Sequence, residues 1–84
     1  MEAKLFERVK KLLAERFAID PARIHLQTHI QKELNFDSMD ALDLLLAVNE
    51  EFSIRVPEQA LENINTVSDI VDAIASGTAR GVHF

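Results

Sequence analysis

The sequence predicts an all-α domain: a four-helix bundle of three longer helices and one short helix, with a long first loop. Three observations carry this. Apolar residues recur at three- and four-residue steps in three separate stretches, the pattern of helices that bury one face. Two Gly, two Pro and no Trp or Tyr leave little of the turn and strand chemistry of a hairpin-rich β domain. Finally, 84 residues at 48% apolar are enough for one small core and no second domain.

The first helix is expected over residues 2–17, where Leu5, Phe6, Val9, Leu12, Leu13 and Phe17 form one stripe. Asp20-Pro21 breaks it, with Asp20 as a cap and Pro21 at a first helical position. Residues 18–36 show no sustained period, and Ile24, Leu26, Ile30 and Leu34 are expected to pin this loop to the core. Loops of such length in small domains are often functional. The second helix starts after Asp37, an N-cap residue with Asp40 three positions on, and runs to Phe52 through Met39, Leu42, Leu45 and Leu46. Leu44 and Val48 widen its apolar face. Pro57 opens a short turn or helix over residues 57–63. Thr66-Val67-Ser68-Asp69 reads as a second capping box, and Val67, Ile70, Val71 and Ile74 as the stripe of a last helix closed by Gly77. The expected division is a domain over residues 1–77 and a fraying tail over residues 78–84.

Net charge is −5, but it is unevenly placed. Residues 1–32 carry four acids and seven bases; residues 33–72 carry ten acids and one base, Arg55. A segment at −9 repels itself and disfavours nucleic acid and anionic membrane, while it suits basic partner proteins. No apolar run reaches the ~18 residues of a membrane span, and no signal peptide is visible at the N-terminus. The expectation is a cytoplasmic monomer without stable membrane insertion. No cysteine is present, so disulfides, thiolate metal sites and a cysteine nucleophile are excluded.

Catalytic signals are weak. His25 and His29 stand four apart in a segment without helical period and lack an evident third ligand, so no metal site is expected. Ser38 with either histidine and an aspartate satisfies a hydrolytic triad only by count. No glycine-rich phosphate loop exists. Ser38 is the residue of interest for a different reason. It follows the cap Asp37, at a helix N-terminus where backbone N–H groups and the macrodipole favour an attached phosphate. The alternative is that Ser38 is itself the cap and nothing more. Leu34, Phe36 and Met39 around it, with Asp40 and Asp43 beyond, suggest an apolar docking rim ringed by acids.

The run Leu34-Asn35-Phe36-Asp37-Ser38-Met39-Asp40-Ala41-Leu42-Asp43 resembles the phosphopantetheine attachment site of acyl carrier proteins, which commonly reads Leu-Gly-x-Asp-Ser-Leu-Asp. The resemblance extends over nearly the whole chain. Glu50-Glu51-Phe52 with Ile54 and Val56-Pro57 looks like the end of the family's second helix and the following loop, and Ile64-Asn65-Thr66-Val67 with Ile70 to Ile74 looks like its last helix.

The resemblance implies a stand-alone, non-catalytic carrier. A phosphopantetheinyl transferase would move 4'-phosphopantetheine from coenzyme A onto Ser38. The arm's thiol would then hold acyl groups as thioesters for synthases, transferases or ligases of fatty acid, specialised lipid or polyketide biosynthesis. It also implies a partner-binding face of Asp37, Met39, Asp40, Asp43, Leu46, Glu50 and Glu51 that meets basic docking patches. An aliphatic core with few aromatics is expected to part for an acyl chain. Four positions depart from the family pattern: Asn35 stands for glycine, Phe36 for a small residue, Met39 for leucine and Asn49 for a frequent acid. They point toward a specialised carrier. Asn35 tolerates the positive φ that glycine would supply. The Asp-Ser-Met run also resembles D-alanyl carriers, although the acidic Asp40 favours an acyl carrier. The competing class is a helical adaptor without a prosthetic group.

Overall fold

The computed structural model describes residues 2–81, with side-chain surroundings for residues 4–76. Three α-helices, α1 (Glu2–Arg16), α2 (Ser38–Phe52) and α3 (Val67–Gly81), alternate with two 3-10 helices, η1 (Pro21–Arg23) and η2 (Glu58–Asn63). Together α1, α2, η2 and α3 make the expected four-helix bundle. Helix α1 packs most extensively on α3. Val9, Leu12 and Leu13 join Val67, Ile70, Val71 and Ile74 in one core cluster, completed by Leu44 and Val48 of α2.

Helix α1 closes where its stripe ends. The Phe17 N–H donates to the Leu13 carbonyl, and Ala18 turns the chain at φ 55°. A left-handed alanine costs about 1–2 kcal/mol, a position where glycine would be at ease. The long loop that follows is ordered by short-range bonds. Asp20 caps η1 by accepting from the Ala22 N–H at 2.9 Å. Among the described residues Thr28 is the one buried polar side chain, 3% exposed; its hydroxyl accepts from the His25 N–H and donates to the Arg23 carbonyl. Ile24 and Ile30 are buried, as expected, whereas Leu26 stays exposed. The loop is then stitched to the start of α3: Ser68 donates to the Leu26 carbonyl, Val67 to that of Thr28, and Ile30 to that of Asn65.

The short third element is a 3-10 helix over Glu58–Asn63, preceded by Pro57 without a side-chain cap, within one residue of the expected range. Two expectations need correction. Leu34 is buried, as expected of a loop anchor, and neither it nor Phe36 forms a docking rim; Phe36 belongs to the core, where its ring meets Phe17 at 5.0 Å with a 43° tilt. And α3 does not close at Gly77. It continues to Gly81, and no described glycine has a positive φ. Glycine inside a helix costs only about 1 kcal/mol against alanine, so it can be traversed. Of the proposed tail, residues 78–81 extend α3, and residues 82–84 lie outside the described residues.

The α3 start is a reciprocal box. Asp69 Oδ2 accepts from the backbone N–H groups of Asn65 and Thr66, and Thr66 Oγ1 accepts from the Asp69 N–H. The Asn65 hydrogen bond is the main cause that lowers the Asp69 carboxyl below its ordinary 3.8. A carboxyl lowered on folding stabilises the fold above its unfolded value and loses that contribution as pH falls through the lowered one. Asp69→Ala is therefore expected to lose about 1 kcal/mol at neutral pH. In urea unfolding, the gap between parent and variant should shrink below pH 3.8; a gap constant with pH would sink this account.

Candidate functional site

The chain enters α2 through Asn35, which sits in the left-handed region at φ 58°. Asparagine meets the demand that usually selects glycine there, as the sequence suggested. The Phe36 N–H donates to the Ile30 carbonyl at 3.0 Å, and its buried ring holds the turn against the end of α1. Two residues later the backbone reaches the surface.

Asp37 is the N-cap. Its Oδ1 accepts from the Asp40 N–H at 2.9 Å, and Asp40 Oδ2 accepts from the Asp37 N–H at 3.3 Å. The cap role therefore belongs to Asp37, and Ser38 occupies the first helical position. Ser38 is exposed, and among the described residues its hydroxyl has no side-chain hydrogen-bond partner. The first backbone N–H groups of α2, at Ser38 and Met39, lie ahead of the intrahelical ladder. The arrangement is an exposed hydroxyl at the positive end of a helix dipole, with donors free for a phosphate oxygen.

The rest of the expected face divides into three groups. Met39 and Leu46 are 70% and 57% exposed, far outside the core. Leu42, between them, is half-buried. Asp43 and Glu50 are exposed beside this apolar strip, without an ion-pair partner among the described residues. Glu51 is different. It pairs with Arg8 at 3.3 Å, and that guanidinium lies 4.3 Å from the Phe52 ring centroid. Its carboxylate ties α2 to α1. The carboxylates of Asp37 and Asp40 are likewise engaged in the cap.

The histidines serve the loop. Thr28 accepts from the His25 N–H; His29 Nδ1 accepts from the Lys32 N–H, and the His29 N–H donates to Glu33. Among the described residues no group of His, Asp and Glu could hold a metal ion, and no hydrogen bond joins Ser38 to either histidine.

Asn49, which stands where the family often has an acid, makes a contact that its place in the sequence does not announce. Asn49 spans the end of α2 with its side-chain amide. Its Oδ1 accepts from the Val56 N–H at 2.9 Å and its Nδ2 donates to the Val56 carbonyl at 3.2 Å. Its own carbonyl accepts from Ser53 and Ile54, where Ser53 turns at φ 54°. No spacing rule signals a clamp between an asparagine and a backbone unit seven residues away.

The family model described as a phosphopantetheine attachment site matches residues 7–74, which include Ser38 and all of α2. The chain belongs to the acyl carrier protein family. Similar relatives bear that name. The acyl carrier protein of Thermosynechococcus vestitus is 31% identical, over 93% of this chain and 96% of that protein. Acyl carrier protein 2 of Ralstonia nicotianae is 36% identical, over 89% and 93%. The crystal structure of an acyl carrier protein from Thermotoga maritima superposes with a TM-score of 0.82 at 25% identity, covering 94% of this chain and 92% of that one. As a family member the chain is a carrier, not a catalyst, and the group it takes is phosphopantetheine. The exposed hydroxyl and free N–H groups at the start of α2 fit that group. No helix among the described residues is long and apolar enough to cross a membrane.

Proposed function

We propose that Ser38 carries the phosphopantetheine arm, and that the chain presents arm-bound acyl groups to enzymes of fatty acid, specialised lipid or polyketide biosynthesis. The observation that carries this reading is the division of labour at the α2 start. Asp37 caps the helix, which leaves the Ser38 hydroxyl free and exposed. In the loading step, catalysed by a phosphopantetheinyl transferase, the Ser38 oxygen attacks the coenzyme A phosphorus that bears the pantetheine. The pyrophosphate bond breaks, adenosine 3',5'-bisphosphate leaves, and the hydroxyl proton passes to the enzyme's base. The arm supplies the thiol that this cysteine-free chain lacks. The test is intact mass after incubation with coenzyme A and a promiscuous transferase. A gain of one phosphopantetheine, mapped by fragmentation to Ser38, supports the reading; no gain favours a plain adaptor.

The docking face proposed for these enzymes is Met39 and Leu46 with Asp37, Asp40, Asp43, Glu50 and Glu51. Asp43 and Glu50 should carry most of its electrostatic attraction, since the other three carboxylates are engaged within the fold. The double variant Asp43→Lys/Glu50→Lys is expected to lower kcat/KM for loading about tenfold at low salt, with the deficit shrinking as salt screens the encounter. A deficit independent of salt would point to damage to the fold instead.

A further inference from the structure

The cavity enclosed by α2, η2 and α3 holds about 20 Å³, room for little more than one water molecule. Its lining is apolar throughout: Leu44, Leu45 and Val48 from α2, Ile70 from α3, and Val56 and Leu61 from the segment between them. An acyl chain needs several times that space, so a wall has to yield for one to enter.

The walls are not held equally. Helices α2 and α3 each span 15 residues and start in reciprocal capping boxes. The wall over residues 54–64 is built on η2, six residues of 3-10 helix with no side-chain cap at its start. Its hydrogen-bond geometry is intrinsically poorer than that of an α-helix. This wall is fixed at its two ends. At the rear, the Asn65 N–H donates to Asp69 and the Asn65 carbonyl accepts from Ile30. At the front, Asn49 grips both backbone groups of Val56, itself a lining residue.

The geometry points to Asn49 as a specificity-determining residue: its two-bond clamp on Val56 fixes the front edge of the yielding wall and so limits the size of acyl chain that the cavity shelters. The inference rests on the reading that Ser38 carries an acylated arm. Only a side chain that both donates and accepts can close this clamp. An ionised carboxylate at the same place accepts from the Val56 N–H but faces the Val56 carbonyl with a second acceptor.

The test loads the parent, Asn49→Asp and Asn49→Ala with butanoyl, octanoyl and dodecanoyl phosphopantetheine from the corresponding acyl coenzyme A. Loading at Ser38 is first read by intact mass. Hydroxylamine cleavage of each thioester and the methyl shifts of Leu61 and Ile64 then report sheltering, and exchange of the Val56 amide reports the clamp. Both variants are expected to cleave the dodecanoyl thioester about fivefold more slowly than the parent, the equivalent of one lost hydrogen bond in the wall. Their butanoyl rates should match the parent, and the Val56 amide should exchange faster in Asn49→Ala. Asn49→Asp keeps one of the two bonds, so it guards against a variant that simply unfolds. Rates that are unchanged, or that shift equally at all three chain lengths as a general loss of stability would make them, overturn the role of Asn49. A parent that gains no mass overturns the Ser38 reading instead.

Discussion

A Ser38→Ala variant is expected to gain no mass from coenzyme A and a transferase, while it unfolds at the parent's midpoint. The first half follows from the loss of the only nucleophile offered at the α2 start. The second follows from the cap. Because Asp37 accepts the Asp40 N–H, Ser38 contributes an exposed first-turn side chain and little else. Substitutions of that kind stay within about 0.5 kcal/mol. Asp37→Ala should behave in the opposite way. It leaves the hydroxyl in place but removes the Asp40 N–H acceptor, at a cost of about 1–2 kcal/mol. The pair separates two roles that adjacent residues could be thought to share. Intact mass reads one and urea unfolding the other. Were Ser38→Ala as destabilising as Asp37→Ala, the hydroxyl would be the working cap and the assignment of the site would lose its support.

Much of this was legible from residue spacing because helices are local objects. The stripes through Val9, Leu12 and Leu13 and through Ile70, Val71 and Ile74 placed α1 and α3, and both reciprocal caps lay in four-residue windows at Asp37 and Thr66. Asn35 was legible for the same reason, since its left-handed φ is a demand of a single residue. What stayed hidden depends on long-range packing. Phe36 beside an exposed serine looks like a surface residue until Phe17, 19 positions earlier, is brought against it. Asn49 looks like a neutral surface exchange until Val56 folds back beneath it. Gly77 carries the chemistry of a helix stop, yet α3 runs through it. Glycine permits a left-handed turn without requiring one.

The same distinction shapes the electrostatics of the site. The sequence concentrates −9 in residues 33–72, and a linear reading treats each acid there as available to a partner. In the fold, Asp37 and Asp40 turn toward the backbone, Asp69 caps α3, and Glu51 reaches α1. On α2 this leaves Asp43 and Glu50 as the exposed carboxylates beside Met39 and Leu46 without an ion-pair partner among the described residues, which is why the proposed docking face leans on them.

The largest loss of stability is expected at Phe36. The family's usual residue at that position is small, so Phe36→Ala looks like a return to the common pattern. The surroundings argue otherwise. The ring is 7% exposed and joins the main core cluster, and its contact with Phe17 joins the end of α1 to the turn that leads into Ser38. Its removal opens a cavity in the main core cluster beside Phe17. Phenylalanine-to-alanine changes in cores cost about 3–5 kcal/mol, against a total of about 5–15 kcal/mol for ordinary domains. Phe36→Ala is therefore expected to lose about a third or more of an ordinary domain's stability and to unfold at a much lower urea concentration than the parent. Phe36→Leu keeps most of the volume and should lose less than half as much. A double-mutant cycle with Phe17→Leu isolates the ring contact, expected at about 1 kcal/mol. Urea unfolding of the four proteins checks all three values. If Phe36→Ala proved as stable as the parent, the turn before Ser38 would be held by its backbone bond to Ile30 alone, and the aromatic pair would be incidental to the site.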